Sequence, residues 1–266
     1  MAGGVKREER LHHIQQKLGL HGVVHISDLS KELDTSVVTI RKDLLYLEEQ
    51  GELVRVAGGA VAHWKKQEEQ RSVVGTGVKN LDLKRNVARK AAELFIRSGD
   101  TLLVTSGMTP YLAMEYALGC TDLKILTDSL LIAETMCRRP DYQVFLFGGE
   151  VNEKDAFVHG RDAVRQASRY MADKVIVTMD GIDPDIGLTA LRSEGADTLR
   201  AILARGRKRI VLADISKIGK ESFCNIGEIS YADILVTNRT EDPTKQQILK
   251  RISDAGVTVV YADEES

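Results

Sequence analysis

From residue 84 onward, short apolar segments alternate with amphipathic helical patterns, and this alternation limits the possible folds more than any other feature of the chain. The segments with the composition of buried strands are 101–106, 124–127, 142–147, 174–179, 209–214, 233–237 and 257–261. Helical patterns precede or separate most of them, at 85–96, 110–118, 129–138, 160–171, 193–205 and 243–254. Strands that alternate with helices predict an α/β domain with a largely parallel, Rossmann-like sheet covered on both faces.

The start of the chain has a different pattern, that of a compact helical unit with a small hairpin. Helices are predicted at 7–18 and at 28–33, the second with Ser27 as its N-cap. Ser36 is the predicted cap of a third helix, and a hairpin at 53–60 follows it. Two helices joined by a short turn and followed by a hairpin indicate a winged helix-turn-helix.

Length and composition agree with two domains in one chain. A chain of 266 residues is long enough for a winged helix-turn-helix at 1–60, a linker at 61–80 and an α/β domain at 81–266. Its three cysteines lie far apart with no CxxC pair, so we expect no metal site and no cofactor. No apolar run is long enough to span a bilayer and the start is polar, which favours a cytoplasmic protein.

The first turns of the third helix carry the residue types that contact DNA. Arg41 and Lys42 can bind phosphates or guanine, Thr39 can meet a thymine methyl group, and Arg55 on the hairpin can reach the DNA backbone or a minor groove. We therefore expect the partner to be double-stranded DNA. The predicted DNA-contacting residues are Ser36, Val37, Val38, Thr39, Arg41, Lys42 and Arg55.

The charge balance leaves a second interpretation of these cations open. The formal net charge is −2, and residues 1–62 hold eight Lys and Arg against nine Asp and Glu. A strongly basic patch is the usual electrostatic sign of a DNA-binding domain. Without one, Arg41 and Lys42 would be solvated charges on an ordinary amphipathic helix.

Small and polar residues follow the strands of the predicted parallel sheet, at the edge where α/β proteins bind ligands. After the first strand, Gly107 permits a tight turn, Thr109 is a candidate N-cap and Pro110 suits the first helical position. Backbone N–H groups at such a helix start form an anion cradle. The residues predicted to bind a small-molecule effector are Ser106, Gly107, Met108, Thr109, Thr127, Asp128, Ser129, Gly148, Gly149, Asp180, Gly181 and Lys217.

Both halves of the chain resemble DeoR-type sugar-operon repressors. In the first half the resemblance rests on the run Thr39-Ile40-Arg41-Lys42-Asp43-Leu44 and on Gly58-Gly59-Ala60. In the second half it rests on the motifs Ser106-Gly107-x-Thr109, Gly148-Gly149, Asp180-Gly181-Ile182, Gly187-Leu188-Thr189 and Asp214-x-Ser216-Lys217. The resemblance implies a repressor of a carbohydrate operon, with a sensor domain akin to ribose-5-phosphate isomerase that binds a phosphorylated sugar. We also expect a homo-oligomer, a dimer or a tetramer, because one helix-turn-helix buries little surface on DNA.

Three departures from the family pattern concern the identity of the effector. Thr105, Met108 and Asp128 stand where the family usually has Asp, Thr and Asn. The carboxylate of Asp128 would repel a phosphate unless Lys217 or another cation neutralises it. We therefore expect an anionic sugar derivative other than the family's most common effector.

The alternative function is a sugar-phosphate isomerase-like enzyme with an appended DNA-binding domain. Asp180, Asp183 and Lys217 would be its acid/base residues and Glu194 its candidate base. The chain lacks the Lys- and Gly-rich segment that such isomerases carry at this point, and fold similarity alone does not confer activity. We expect a regulator and no catalytic residues.

Overall fold

The chain divides into two units by its internal contacts, Met1–Val78 and Lys79–Ser266. We call them the amino-terminal unit and the carboxy-terminal unit. The structure, a computed structural model, describes residues 7–21, 23–50, 52–56, 58–62 and 79–262. Most of the predicted linker, at 63–78, lies outside the described residues.

Three helices and a three-stranded sheet make up the described part of the amino-terminal unit. Its strands pair antiparallel in the order β1-β3-β2. The elements in chain order are α1 (Arg7–His21), β1 (Val23–His25), α2 (Ile26–Glu32), α3 (Val37–Glu49), β2 (Leu53–Val56) and β3 (Gly59–Ala62). The predicted winged helix-turn-helix is therefore confirmed.

The apolar positions that repeat at helical spacing form the core of this unit. Side chains from all three helices and from β2 are buried there: Ile14, Leu18, Leu29, Ile40, Leu44, Leu47 and Leu53. At Gly59 a Cβ would lie 2.0 Å from the carbonyl oxygen of Val24, so only glycine allows β3 to approach β1 this closely.

The predicted cap of α2 is wrong. The helix begins at Ile26, its N-cap is His25, and no side chain caps it. The pairing of His25 with Gly59 ends β1, and the Ile26 N–H donates to the carbonyl of Gly58 at 2.9 Å. Because these bonds fix the end of β1, the helix starts before Ser27, whose hydroxyl donates to Asp28 at 3.1 Å.

A buried ion pair joins α1 to α3. The guanidinium of Arg10 donates through Nε and Nη2 to the two carboxylate oxygens of Asp43, at 2.8 and 3.3 Å. The side chain of Asp43 is 3% exposed and that of Arg10 12%. The hydrogen bond to Asp43 raises the pKa of Arg10. Two parallel bonds of this kind fix the relative position of the helices as well as their charge.

Asp43→Ala removes the carboxylate that the largely buried guanidinium of Arg10 contacts, so we expect a loss of roughly 2–4 kcal/mol of stability in this unit. Native-state hydrogen exchange of the α3 amides in the full-length chain measures this loss of stability. Glu49→Ala, which removes an exposed carboxylate from the same helix, is the control and is expected to change little. Equal exchange in the two variants would contradict the role given to the ion pair.

The carboxy-terminal unit is an α/β domain with one large sheet. Its helices are α4 (Leu81–Phe95), α5 (Met108–Tyr116), α6 (Leu130–Met136), α7 (Arg161–Ala167), α8 (Ala196–Leu203) and α9 (Pro243–Asp254). Its strands are β4 (Thr101–Val104), β5 (Lys124–Thr127), β6 (Gln143–Leu146), β7 (Glu150–Asn152), β8 (Phe157–His159), β9 (Ala172–Val177), β10 (Gly181–Asp183), β11 (Gly187–Ala190), β12 (Gly206–Leu212), β13 (Cys224–Gly227), β14 (Ile234–Thr237) and β15 (Thr258–Tyr261). Along the described ranges, no helix has both the length and the apolar composition needed to cross a bilayer.

All seven predicted strands lie in one parallel sheet, in the order β15-β14-β12-β9-β4-β5-β6. In β4, β5, β9, β12 and β14, three or more consecutive side chains are buried. Consecutive burial means that both faces of these strands are covered, as expected for a parallel sheet. The predicted α/β class is confirmed.

The strand order reverses between β4 and β9. From β4 the sheet grows through β5 to β6 on one side, and the chain then returns to place β9 on the other side of β4. In open α/β sheets, ligands bind in the crevice beyond the carboxyl ends of the strands at such a switch point.

Two small antiparallel sheets, β10-β11-β13 and β7-β8, were not predicted. Their strands are only three or four residues long, too short for a clear alternation of side chains. Several main strands also end earlier than predicted, so that residues 105–106, 178–179 and 213–214 belong to the loops at the carboxyl edge.

Candidate functional site: a DNA-contact helix and an effector edge

The amino-terminal end of α3 is capped by a side chain. Ser36 has an extended backbone, and its Oγ accepts the N–H of Thr39 at 3.1 Å. The hydroxyl groups of the same two residues lie 2.9 Å apart. The cap that the sequence predicts is present, and it fixes the residue at which α3 begins.

The exposed face of α3 carries four of the predicted DNA-contacting residues. Val37 and Val38 are 40% and 61% exposed, and Arg41 and Lys42 are also exposed. Ile40 lies between these positions and is fully buried. The first two turns of the helix therefore present apolar groups and two cations to solvent.

Arg55 on β2 has a partner within its own unit. Its Nε donates to the Glu48 carboxylate at 2.6 Å, and its backbone N–H donates to the other carboxylate oxygen at 2.9 Å. Glu48 thus ties the hairpin to α3. A DNA contact by Arg55 has to share the guanidinium with Glu48.

At the switch point of the carboxy-terminal unit, the loop after β4 touches the loop after β9. Gly107 has φ +128°, and a Cβ there would lie 2.6 Å from the Cγ2 of Thr178. The predicted cap is wrong here: Gly107 is the N-cap of α5, Thr109 lies inside the helix, and Pro110 is its third residue. Because the backbone of Gly107 is far from helical, with φ +128° and ψ 155°, the helix starts directly after it.

Asp128 is buried beside this helix start. The residue is 5% exposed, and one carboxylate oxygen accepts the N–H of Ser106 at 2.6 Å. Burial raises the pKa of Asp128 to about 7, although the backbone N–H groups of Ser106 and Asp128 favour the ionised form. The carboxyl group therefore already uses one N–H of the predicted anion cradle.

The hydroxyl groups on either side of Asp128 make structural bonds. Thr127 donates to the carbonyl of Val104 at 2.6 Å and accepts the N–H of Ser129 at 3.0 Å. The Ser129 hydroxyl caps α6 by accepting the N–H of Ile132 at 3.2 Å. Both side chains are buried, so their first role is to hold the loop.

The glycines after β6 also have packing roles. The side-chain amide of Gln166 accepts from the Gly148 N–H at 3.0 Å and donates to its carbonyl at 3.2 Å. At Gly149, which has φ +154°, a Cβ would lie 2.4 Å from the carbonyl oxygen of His159. These contacts give both glycines a structural role.

Lys217 is paired with Asp180 rather than with Asp128. Its Nζ lies 3.1 Å from Asp180 Oδ1, and Asp180 Oδ2 accepts the N–H of Leu191. Next to Asp180, a Cβ at Gly181 would lie 2.4 Å from the carbonyl oxygen of Lys220. In this structure the charge of Lys217 therefore offsets that of Asp180. The ion pair joins the loop after β9 to the turn after β12.

Several polar residues of this edge were not among the predicted effector contacts. Thr105 is buried, and its hydroxyl has no hydrogen-bond partner within the described ranges. The carboxylate of Asp214 lies 3.6 Å from the ammonium of Lys84, a residue of α4 that is more than 100 residues away in the sequence. Burial raises the pKa of Asp214, but hydrogen bonds from Ser216 and the charge of Lys84 outweigh it and lower that pKa. Only contacts across the fold reveal this pair.

Two family models match the chain, and together they cover most of it. The model described as the DeoR-like helix-turn-helix domain matches residues 10–66. The model described as the DeoR C terminal sensor domain matches residues 79–239, more than half of the chain. The chain belongs to the DeoR family. It is a DNA-binding transcription regulator with an amino-terminal helix-turn-helix and a carboxy-terminal sensor domain.

Curated relatives of this DeoR-family chain are similar over nearly their whole length. The HTH-type transcriptional repressor GlcR of Bacillus subtilis (strain 168) is 29% identical over 92% of this chain and 93% of its own. The glycerol-3-phosphate regulon repressor of Escherichia coli (strain K12) is 29% identical over 92% of this chain and 96% of its own. The lactose phosphotransferase system repressor of Streptococcus mutans is 28% identical over 92% of this chain and 98% of its own.

Solved structures are more distant. Ribose 5-phosphate isomerase A from Neisseria gonorrhoeae has a TM-score of 0.40 and 17% identity, and the match covers 54% of this chain and 56% of that one. A similarity at this level supports no conclusion about activity.

The raised pKa of Asp128 predicts a dependence of stability on pH. Between the ordinary pKa of 3.8 and about 7, the folded chain holds a proton that the unfolded chain has lost. The contribution of Asp128 to the free energy of unfolding therefore falls as pH rises through this window, and it is constant above it. Asp128→Asn keeps an acceptor for Ser106 and removes the charge.

We expect the Asp128→Asn variant to have a Tm on the order of 5 °C above that of the unaltered chain at about pH 8. The difference should shrink toward about pH 5, where the native carboxyl group is protonated. Scanning fluorimetry across this range measures it, with the exposed Asp162→Asn as control. A difference that does not vary with pH would contradict a buried, titrating Asp128.

Proposed function

We propose that this chain is a repressor of a carbohydrate-catabolism operon. A phosphorylated sugar or a related anionic metabolite controls its affinity for operator DNA. The observation that carries the proposal is the capped start of α3, with exposed Val37, Val38, Arg41 and Lys42 above a buried core. An exposed helix start of this kind fits the major groove. The residues proposed to contact DNA are Ser36, Val37, Val38, Thr39, Arg41, Lys42 and Arg55.

The names of the relatives support a repressor and the proposed class of effector. Two of those names refer to glycerol 3-phosphate and to a lactose phosphotransferase system. In this chain the proposed effector site is the carboxyl edge at the switch point. The proposed contacts are Ser106, Gly107, Met108, Thr109, Thr127, Asp128, Ser129, Gly148, Gly149, Asp180, Gly181 and Lys217. Asp128 and Lys217 supply opposite charges there, so the effector needs an anionic group for Lys217 and hydroxyl groups for Asp128.

A regulator fits the site better than an isomerase does. Glu194, the candidate base, is exposed, and its own backbone N–H and the charge of Arg192 lower its pKa. A lowered pKa makes a carboxylate a weaker general base. We also propose a homo-oligomer, because two modules on a symmetric operator give the affinity that one lacks.

Arg41→Ala removes a proposed contact to a base or a phosphate, and we expect operator binding to weaken at least about tenfold. A mobility shift on DNA from upstream of the gene measures this. The control is Arg85→Ala, which removes an exposed arginine of the carboxy-terminal unit. Unchanged operator affinity in Arg41→Ala would show that α3 is wrongly placed on the DNA.

Lys217→Ala removes the proposed cation for the effector while leaving α3 untouched. We expect operator binding to persist and the affinity for an anionic sugar to fall about tenfold, the value of one charge-assisted hydrogen bond. Titration with glucose 6-phosphate, fructose 6-phosphate and glycerol 3-phosphate, followed by thermal shift, measures the loss. Lys250→Ala, at an exposed position of α9, is the control. If none of these phosphates shifts the unaltered chain, the proposed class of effector is wrong.

A further inference from the structure

A buried carboxylate after β12 holds the first turn of α4. Asp214 is 1% exposed. Its Oδ1 accepts the N–H of Ser216 at 3.0 Å and the side-chain amide of Asn80 at 3.2 Å. Its Oδ2 lies 3.6 Å from the Lys84 ammonium and has no hydrogen-bond partner in the part of the chain that the structure describes. Asp214 therefore contacts the start of α4 through both oxygens.

A second buried side chain joins the same two segments. Asn238 follows β14, and its Oδ1 accepts the N–H of Ile215 at 3.2 Å. Its Nδ2 donates to the carbonyl of Leu83 at 3.2 Å. On the other side of the turn, Lys245 donates to the carbonyl of Ile215 at 3.0 Å. The turn after β12 and the first turn of α4 are thus held as one body.

The other end of this turn reaches the proposed effector site. Asp214 to Lys217 form a single tight turn, closed by the Lys217 N–H donating to the Asp214 carbonyl at 2.9 Å. The Lys217 ammonium pairs with Asp180. An anion that draws Lys217 away from Asp180 thus acts on a turn whose first residue holds α4.

The start of α4 is also where the carboxy-terminal unit joins the rest of the chain. Residues 63–78 connect β3 of the amino-terminal unit to this point in the sequence. Asn80, the N-cap of α4, has φ +60° and ψ 38°. This left-handed conformation is costly for most residues, so a bond from Asn80 to Asp214 helps fix the direction in which the chain enters the helix.

We propose that Asp214 is a positioning residue for regulation: together with Asn80, Lys84 and Asn238 it transmits occupancy of the effector site to the segment that carries the DNA-binding unit. We call these four residues the relay. The inference rests on the proposed function insofar as Lys217 is taken to contact the effector. Allosteric coupling of this kind requires the two ligands to favour different arrangements of the same element, here the first turn of α4.

The test is Asp214→Asn in the full-length chain, which keeps the shape of the side chain and removes its charge. Operator affinity is measured by fluorescence anisotropy without and with saturating fructose 6-phosphate, glucose 6-phosphate or glycerol 3-phosphate. In the unaltered chain we expect about a tenfold change in operator affinity with the phosphate that binds. In the variant we expect less than about a twofold change, while the separate affinities for DNA and for the phosphate stay within about twofold. A merely structural role would lower those affinities instead.

Asp233→Asn is the matched control. It breaks another ion pair of the same sheet, between Asp233 and Arg209 at 2.7 Å, at the end of the strands opposite to the relay. We expect it to keep the full response. Asn80→Ala is the second variant, because it leaves Asp214 charged and bonded to Ser216, and it is expected to lose most of the response. A full response in both Asp214→Asn and Asn80→Ala overturns the relay and leaves the proposed function intact.

The relay can also be tested from the DNA side without any effector. Coupling is reciprocal, so binding of the upstream DNA should change hydrogen exchange at residues 215–219 in the unaltered chain. The same change should be absent in Asp214→Asn. If the unaltered chain shows no change there, the relay is wrong. If hydrogen exchange changes there but none of the phosphates binds, the relay is supported and the proposed class of effector is wrong.

Discussion

The carboxy-terminal unit depends on the pairing of β4 with β9. This is the pairing at which the sheet changes direction, so it joins the half built from β5 and β6 to the half built from β12, β14 and β15. The ladder continues one residue beyond β4, where the Thr105 N–H donates to the Ile176 carbonyl at 3.0 Å. Gly107 then contacts Thr178. Backbone bonds of the sheet thus position the first residues of these loops, and side chains such as those of Thr127 and Asp128 hold the rest.

Three aspartates lie at the carboxyl edge of the sheet, and different groups stabilise their carboxylates. Asp128 relies on backbone N–H groups, Asp180 on Lys217, and Asp214 on Asn80 and Lys84. Because a buried carboxylate without a cation is costly to ionise, the pKa of Asp128 rises while that of Asp214 falls. The proposed site therefore combines one carboxyl group poised near neutral pH with a lysine that already has a partner.

The sequence was sufficient where local pattern decides the structure. Runs of consecutive apolar residues identified all seven strands of the main sheet, and Ser36 identified the start of α3. The position of a residue directly after a strand was less informative about what that residue does. Gly148 and Gly149 were predicted to contact a ligand, and the structure shows that they also pack against Gln166 and the carbonyl of His159.

Contacts between distant parts of the chain could not be predicted. Asn80 lies 134 positions from Asp214, and the Leu83 carbonyl lies 155 from Asn238, so no periodicity connects them. The pairing of Lys217 with Asp180 is another contact of this kind, since 37 positions separate the two residues. In each case, the strand order of the sheet decides which loops become neighbours, and that order is not visible in a single sequence.

The ion pair between Arg10 and Asp43 limits how this DNA-binding unit can be recombined with others. Asp43 stands directly after Lys42, inside the stretch proposed to contact DNA, yet its carboxylate points to α1. A chimera that imports α3 alone would bury this carboxylate against a foreign first helix. Exchange of binding specificity between regulators of this kind therefore requires a crossover point before α1, so that the two charges are inherited together.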